Sequence, residues 1–320
     1  MRAQLRTAFS WHRPLMTTAA IMVVSIVVCL IGLTFDHRIV TGVDTWLKPL
    51  KFSISIFLYC VTWAWLISQL PRWRRSAHRL GTVMAVALII EQLCIVGAAA
   101  AGTTSHFNVS TPLATTIWGI MAISITTLYV CAFVTTGAVF FVRLSTPSIT
   151  YALRAGAVLA LIGMGLAYLM TIPQPGQITN FRGIIGAHTV GLADGGPGLP
   201  LLGWSTVGGD LRIPHFVGMH ALQVMPICAL LCAWLGRHWR VLAADVVRLR
   251  LMIVVSLSYA ATLAVLTFQA LAGQSIVAPS GVFLVAGWAI LIGTIVASIT
   301  ILAIGPRPPA ALTTPHRRFA

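Results

Sequence analysis

The sequence predicts an all-α fold, a polytopic bundle of about eight transmembrane helices with both termini inside and a long ordered loop outside. Three observations carry this prediction. Of the 320 residues, 58% are hydrophobic and 8% are charged, and the mean hydropathy is +0.92, whereas soluble domains carry about 25% charged residues. Several apolar segments reach the length of about 20 helical residues that a bilayer requires. Basic residues are also unequally divided between alternate loops.

The predicted spans form one transmembrane domain over residues 1–320. They lie near 15–34, 52–70, 80–101, 113–142, 150–172, 215–236, 249–272 and 281–304. The first follows three arginines and resembles a signal peptide, but its apolar run is long and no small-x-small cleavage site follows it. We therefore expect it to be a retained helix. Six cysteines fall inside apolar runs without CxxC spacing, which predicts reduced thiols.

The orientation follows from the basic residues. With a cytoplasmic N-terminus, sixteen of the 21 Lys and Arg residues lie inside, and five lie outside (Arg38, Lys48, Lys51, Arg182 and Arg212). Cytoplasmic loops carry such an excess, so we expect an N-in, C-in protein of the cell inner (cytoplasmic) membrane. The net charge of +15 is spread over short loops, so the expected partner is the lipid bilayer and not nucleic acid.

One outer segment, residues 173–214, is much longer than the other loops and contains ten glycines and five prolines. Loops of this length are uncommon unless they are functional or disordered. Disorder would expose Phe181, Leu201, Trp204 and other apolar side chains. We therefore expect an ordered cap over the outer mouth, with a short helix or re-entrant turn near 183–192.

Glu91 is the strongest single candidate for a functional residue. It lies about ten residues before the outer end of the third span, which is roughly 15 Å deep at 1.5 Å per residue. A carboxylate there costs about 3 kcal/mol or more unless it is paired, protonated or hydrated. Glu91 is therefore expected to act as a proton carrier or ligand, and the alternative is a protonated side chain that fixes helix packing.

The sixth span supplies a second set of candidates. His220 and Gln223 are separated by about 60° of helical arc and share one face, so a polar stripe could reach Glu91. Pro226 follows and predicts a kink. His215 and His220 are five residues apart, about 140° around a helix, so a regular helix cannot direct both to one ion.

The outer loops supply the remaining candidates. His106, in SHFN, could be a ligand, a proton carrier or a helix cap, and His188 requires the long loop to fold over the mouth. Asp210 and Arg212 are either catalytic or a surface ion pair worth at most about 1 kcal/mol. Lys48 and Lys51, in WLKPLKF, either anchor the second span at the interface or clamp an anion or headgroup. Five of the nine histidines (His37, His106, His188, His215 and His220) fall on the outer side.

The segments WLKPLKFS, SHFN, DGGPGLP and GDLRIPHFVGMHALQ resemble segments of multi-pass membrane proteins of bacteria. The resemblance extends over most of the chain and implies a membrane-embedded helical fold without implying an activity.

Four hypotheses for the function remain open. The first is a redox protein that holds haem or a divalent metal, with cofactor ligands among His106, His188, His215 and His220; a bare metal would use His106, His215 and His220. The second is a proton-coupled transporter or small-molecule-binding protein that uses Glu91. The third is an outer-leaflet hydrolase with a zinc-activated water and a lipid or envelope substrate. The fourth is a structural or assembly protein. Whether the protein is an enzyme and which oligomer it forms stay open.

Overall fold

The computed structural model describes residues 2–306; the predicted inner-side residues Arg307, His316, Arg317 and Arg318 lie outside this range. In the described range, eight helices are long and apolar enough to cross a membrane. They are α2 (Arg13–Phe35), α3 (Leu47–Ser68), α4 (Arg74–Ala100), α5 (Pro112–Val139), α6 (Pro147–Leu166), α8 (Arg212–Leu235), α10 (Asp245–Leu271) and α11 (Gly281–Ile304). Three short helices complete the set: α1 (Arg2–Trp11), α7 (Pro175–Thr179) and α9 (Arg240–Ala243). The predicted all-α polytopic bundle is confirmed.

Local sequence signals determine several helix starts. Thr111 and Thr146 accept hydrogen bonds from the backbone N–H groups of Ala114 and Ile149, and a proline follows each threonine. Threonine caps an exposed N–H, and proline is already restricted to the φ of the first helical turn. Pro49 plays the same part in α3, which begins at Leu47 and not near residue 52. Lys48 and Lys51 therefore lie on the first turns of a helix.

The bundle consists of two connected groups of helices. In the first, α2 packs on α3, and α4 contacts α2, α3 and α5. In the second, α6 packs on α8 and α10, and α11 packs on α10. The seam between α6 and α8 is the closest, because Gly163 faces Gly218 and Gly156 faces Ala221 without intervening side chains. Small residues let helix backbones approach in this way.

Four loops meet on one face of the bundle, called the outer face here: residues 36–46, 101–111, 172–211 and 272–280. Arg38 donates to the carbonyl of Ala100, Val109 N–H donates to Gly183 over 2.8 Å, and the Ser275 hydroxyl donates to the carbonyl of Ser205. A hairpin of β1 (Ile39–Val40) and β2 (Val43–Asp44) stands at its edge. The assignment of this face to the outside of the cell stays a prediction.

The long outer loop is ordered, as predicted, but its local structure differs from the expectation. A helix or re-entrant turn near 183–192 is wrong, because this segment is extended and forms single bridges from Ile184 to Asn108 and from Thr189 to Asp210. Its glycines at 183, 186 and 191 have φ values of +80°, +100° and +71°, which an α-helix cannot accommodate. Phe181 and Leu201 also remain 57% and 75% exposed, so only part of the apolar set is covered.

By its position in the sequence, His12 falls on the arginine-rich inner side, where a histidine is expected to face water and headgroups. The structure buries it fully: its Nδ1 accepts a hydrogen bond from Leu15 N–H, and its Nε2 contacts the carbonyl of His78 at 2.9 Å. It thus caps α2 and ties it to α4. The six cysteines are free, as predicted.

Candidate functional site

Glu91 lies in the interior of the bundle, nine residues before the end of α4, or about 14 Å along the helix. Its side chain is only 5% exposed. Oε1 lies 3.8 Å from Nε2 of His106. Oε2 is buried and has no hydrogen-bond partner among the described residues. Because a buried carboxylate is costly unless its oxygens are satisfied, Glu91 has the character of a proton or ligand site.

His106 bridges Glu91 to a lysine. Its Nδ1 lies 3.1 Å from Nζ of Lys48 and 2.8 Å from Oγ of Ser105, while Nε2 faces Glu91. An ammonium group can only donate, so Nδ1 is the acceptor and the ring proton lies on Nε2. Burial, followed by the charge of Lys48, holds the pKa of His106 well below its usual range. The imidazole is therefore neutral and connects a cation to a carboxylate.

The extended segment of the long outer loop brings a second histidine, His188, close to His106. The ring centroids of His106 and His188 are 6.4 Å apart. Nδ1 of His188 lies 2.5 Å from Oδ2 of Asp194. Asp194 also accepts the backbone N–H groups of His188 and Thr189 at 3.0 and 3.1 Å. Burial opposes ionisation of Asp194, but the His188 contacts outweigh it and keep the pKa of this carboxyl well below its usual range.

The charge of Asp194 fixes the tautomer of His188. A carboxylate accepts and does not donate, so Nδ1 of His188 carries the proton and Nε2 carries a lone pair. Burial lowers the pKa of His188, against the opposing effect of Asp194. No described residue hydrogen-bonds Nε2, and the side chain is 17% exposed. His188 therefore presents an unoccupied acceptor.

Asp210 and Arg212 form an ion pair in which the aspartate is buried and the arginine is partly exposed, so it is not the surface ion pair that was one of the two expectations. The Asp210 side chain is fully buried and accepts hydrogen bonds from Nη2 and Nε of Arg212 at 2.5 and 2.9 Å. It also accepts Ser205 N–H at 2.8 Å, and Nη2 of Arg212 donates to the carbonyl of Gly203 at 2.6 Å. The guanidinium group is held in one orientation, with Nη1 left without a partner among the described residues.

An outer cavity of about 290 Å³ opens above these groups. One wall is the tip of the β1–β2 hairpin, and the other is the glycine-rich segment 193–199, in which Gly195 packs directly on Gly42. His188, Asp194 and Arg212 supply the charged and titratable part of the lining. Lys51 lies beside the cavity, where Nζ donates to the carbonyl of Leu202 at 2.7 Å.

The polar stripe of α8 does not meet Glu91 as the sequence suggested. Nε2 of His220 contacts Ser55 Oγ at 3.1 Å, and Gln223 donates to Thr62 Oγ1 at 3.2 Å, so both residues pair with α3. His215 is turned to the other side, where Nδ1 contacts the carbonyl of Gly163 at 2.8 Å. His220 and Gln223 therefore connect helices and stand apart from the Glu91 site, whereas His215 is near enough to His106 and His188 to interact electrostatically with both.

The histidines likewise do not assemble a metal site. No group of three or more His, Cys, Asp or Glu side chains in residues 2–306 has an arrangement that could hold a metal ion. His106, His215 and His220 each have different partners, and His37 is exposed on the outer loop. The predicted haem and metal ligation therefore has no support in the described part of the chain.

One member of the site, Lys48, was predicted in a different role, and another, Asp194, was not singled out from the sequence. Lys48 was read as an interfacial residue because the second span was started near 52, although Pro49 indicates an earlier helix start. Its spacing of seven from Ser55 and of fourteen from Thr62 places all three on one face of α3. Asp194 carried no such signal, because its partner is determined by the path of a glycine-rich loop.

Fold and site together define a multi-pass, all-α membrane protein with a buried, charged site beneath an ordered outer loop. No protein-family model matches the chain, and no curated protein and no solved structure is significantly similar to it.

Proposed function

We propose that the protein is a proton-coupled membrane carrier that binds a small molecule in the outer cavity. The observation that carries this proposal is a continuous series of titratable groups from the cavity into the membrane interior. Asp194 and His188 line the cavity, the ring of His188 lies 6.4 Å from that of His106 between centroids, and His106 faces Glu91. Asp194, His188, His106 and Glu91, with Lys48, are called the relay below. Intramembrane ionisable residues of this kind commonly mark proton pathways.

The contacts support a balanced proton step once Nε2 of His106 moves from 3.8 Å to hydrogen-bond distance of Oε1 of Glu91. Nζ of Lys48 donates its proton to Nδ1 of His106 while Nε2 of the same ring donates its proton to Oε1 of Glu91. The imidazole begins and ends neutral, with its proton on the other nitrogen. An ammonium–carboxylate pair becomes an amine and a carboxylic acid, so no unpaired charge is created in the low-dielectric interior. Lys48 then takes up a proton from solvent in the cavity, on the side where it interacts electrostatically with His188. A half turn of the His106 ring returns its proton to the side of Glu91 and restores the starting state.

Buried polar atoms continue inward from Glu91. Tyr59 Oη, Trp63 Nε1 and Thr136 Oγ1 are buried; Tyr59 and Trp63 face each other, and Thr136 Oγ1 has no hydrogen-bond partner among the described residues. Tyr59 and Trp63 lie twelve and sixteen residues into α3, about 18 and 24 Å from its outer end. Buried polar groups are almost always hydrogen-bonded, often to ordered water. We propose that a proton released by Glu91 continues through this region toward the inner face.

This proposal takes up the second of the hypotheses drawn from the sequence. The zinc-hydrolase hypothesis and the bare-metal form of the redox hypothesis require a set of three or more ligands, which the described residues do not assemble. The relay instead uses histidines held neutral beside a lysine and two carboxylates, an arrangement suited to moving a proton.

The test is proton uptake into proteoliposomes that contain a pH-sensitive dye. External lactate, succinate, inorganic phosphate, a neutral sugar and a cationic amine are added in turn, with protein-free liposomes as the baseline. We expect at least one solute to drive lumenal acidification in the wild type but not in Glu91→Gln. Asp44→Asn, an acid of the hairpin outside the relay, is the matched control and should retain uptake. Acidification equal to the baseline for every solute, or equal to the wild type in Glu91→Gln, would refute the proposal.

A further inference from the structure

We infer that the outer cavity binds a small anion of the carboxylate or phosphate type, anchored by Arg212, and that protonation of Glu91 strengthens this binding. The inference deepens the proposed function and rests on it for the fate of the bound ligand. The binding itself can be measured without transport.

Arg212 is built as an anion anchor. Asp210, which is fully buried, accepts hydrogen bonds from Nε and Nη2 of Arg212, and the carbonyl of Gly203 accepts another from Nη2. The guanidinium group is therefore immobilised before any ligand arrives. Its side chain is 29% exposed and lines the cavity, and Nη1 keeps its two donors free of described partners. Arginine presents its donors in a planar fork that matches the oxygens of carboxylate and phosphate.

His188 complements this donor with an acceptor. Because Asp194 fixes the proton on Nδ1, the lone pair of Nε2 is available to a hydroxyl or to a protonated acid oxygen. A ligand that carries both an anionic oxygen and a hydroxyl, such as a hydroxy acid or a hydrogen phosphate, matches the pair. The cavity of about 290 Å³ corresponds to roughly ten water volumes, which suits one small acid or one headgroup.

Charge balance couples the anion to the proton. With the histidines neutral, the cations around the cavity and the relay are Lys48, Lys51 and Arg212. The carboxylates there are Asp194, Asp210 and Glu91, so the charges balance when Glu91 is ionised. Glu91 is faced by Lys48 from α3 and by His106 from the α4–α5 loop, and Cys94 lies one turn along α4. Protonation of Glu91 leaves one positive charge in excess, which one anion neutralises.

The coupling is reciprocal: if protonation of Glu91 raises the affinity for the anion, the bound anion must raise the affinity of Glu91 for its proton by the same factor. Site–site couplings commonly amount to about 5- to 150-fold in affinity. We expect lactate to bind about tenfold more tightly when Glu91 is protonated than when it is ionised. Such a site binds an anion and a proton together.

The experiment is calorimetric titration of the full chain in phosphatidylcholine nanodiscs, with lactate and inorganic phosphate as probes. Lactate is titrated across a pH series, because its own charge is constant near neutrality. We expect binding that is weakened about tenfold or more in Arg212→Gln and in the double variant Asp210→Asn with Arg212→Gln. The double variant leaves no buried charge unpaired, so it separates a lost anchor from a lost fold. Arg182→Gln, an exposed arginine of the same loop, should bind as the wild type does.

Three results would overturn the inference: no binding of either probe, equal binding in the double variant, or lactate affinity that is independent of pH. Glu91→Gln, which mimics the protonated acid, should bind tightly at every pH. Nanodiscs of phosphatidylglycerol distinguish a free small anion from an anionic lipid headgroup as the natural ligand. A headgroup site would already be occupied in these nanodiscs, so lactate and phosphate would not bind. Anion binding without proton uptake would refute the proton-coupled carrier but support the anion site. Proton uptake that does not depend on Arg212 would support the carrier but refute the anion site.

Discussion

The glycine seam between α6 and α8 allows a prediction whose size follows from the structure. A Cβ placed on Gly156 would lie 2.6 Å from the carbonyl oxygen of Ala221, where non-bonded contacts ordinarily begin near 3.5 Å. The helices would have to separate by about 1 Å. At Gly163 the new carbon would overlap the backbone of Gly218 more severely. Overpacking of this kind costs about 1–3 kcal/mol, and alanine returns at most about 1 kcal/mol in helix propensity.

We therefore expect Gly163→Ala to lower the free energy of unfolding by about 2 kcal/mol and Gly156→Ala by about 1 kcal/mol. Gly137 of α5 is the matched control, because nothing lies within 4 Å of its Cβ position. The assay is reversible unfolding in mixed micelles with increasing dodecyl sulfate, followed by tryptophan fluorescence. If Gly163→Ala proved as stable as Gly137→Ala, the close packing of α6 on α8 would be wrong, together with the contact between His215 and the carbonyl of Gly163.

Three further predictions concern the relay. Because burial and Lys48 hold the pKa of His106 below its ordinary value of 6.5, the unfolded chain binds more protons than the folded one as the pH falls through this value. Thermal stability should therefore be greatest above pH 6.5 and decline below it, and His106→Gln should flatten this dependence in a series of melting curves; an unchanged slope would contradict the buried neutral imidazole. Asp194→Asn should loosen residues 186–196, because its charge-assisted bonds to His188 and Thr189 are worth about 1.5–3 kcal/mol each; faster deuterium exchange confined to this segment is expected, and unaltered exchange would count against the pairing. Lys48→Met should reduce solute-driven proton uptake as far as Glu91→Gln does, since Nδ1 of His106 loses its ammonium donor and keeps only the Ser105 hydroxyl. Uptake at the wild-type rate would mean that protons reach Glu91 by another route.

The residues of the candidate site differ in how far their roles could be predicted. Glu91 was identified from depth alone, because an acid within an apolar span is costly wherever the neighbouring helices lie. His106 and His188 were identified by their position at the outer end. Their connection to Lys48 and Asp194 was not predicted, nor was the pairing of His220 and Gln223 with α3. Helix order and rotation decide these contacts, and apolar spans of similar length carry little information about either.

The sequence by itself determined the solvent, the number of spans and the region in which polar groups would concentrate. These properties are local sums over hydropathy, length and charge, so they do not depend on how the helices pack. The tertiary structure alone decided that Glu91 meets His106, that Asp194 orients His188, and that Arg212 keeps one side of its guanidinium group free. The partners in these contacts are close in the chain, but each contact depends on the path of a loop and on the packing of that loop over the helices, which hydropathy and span length do not encode.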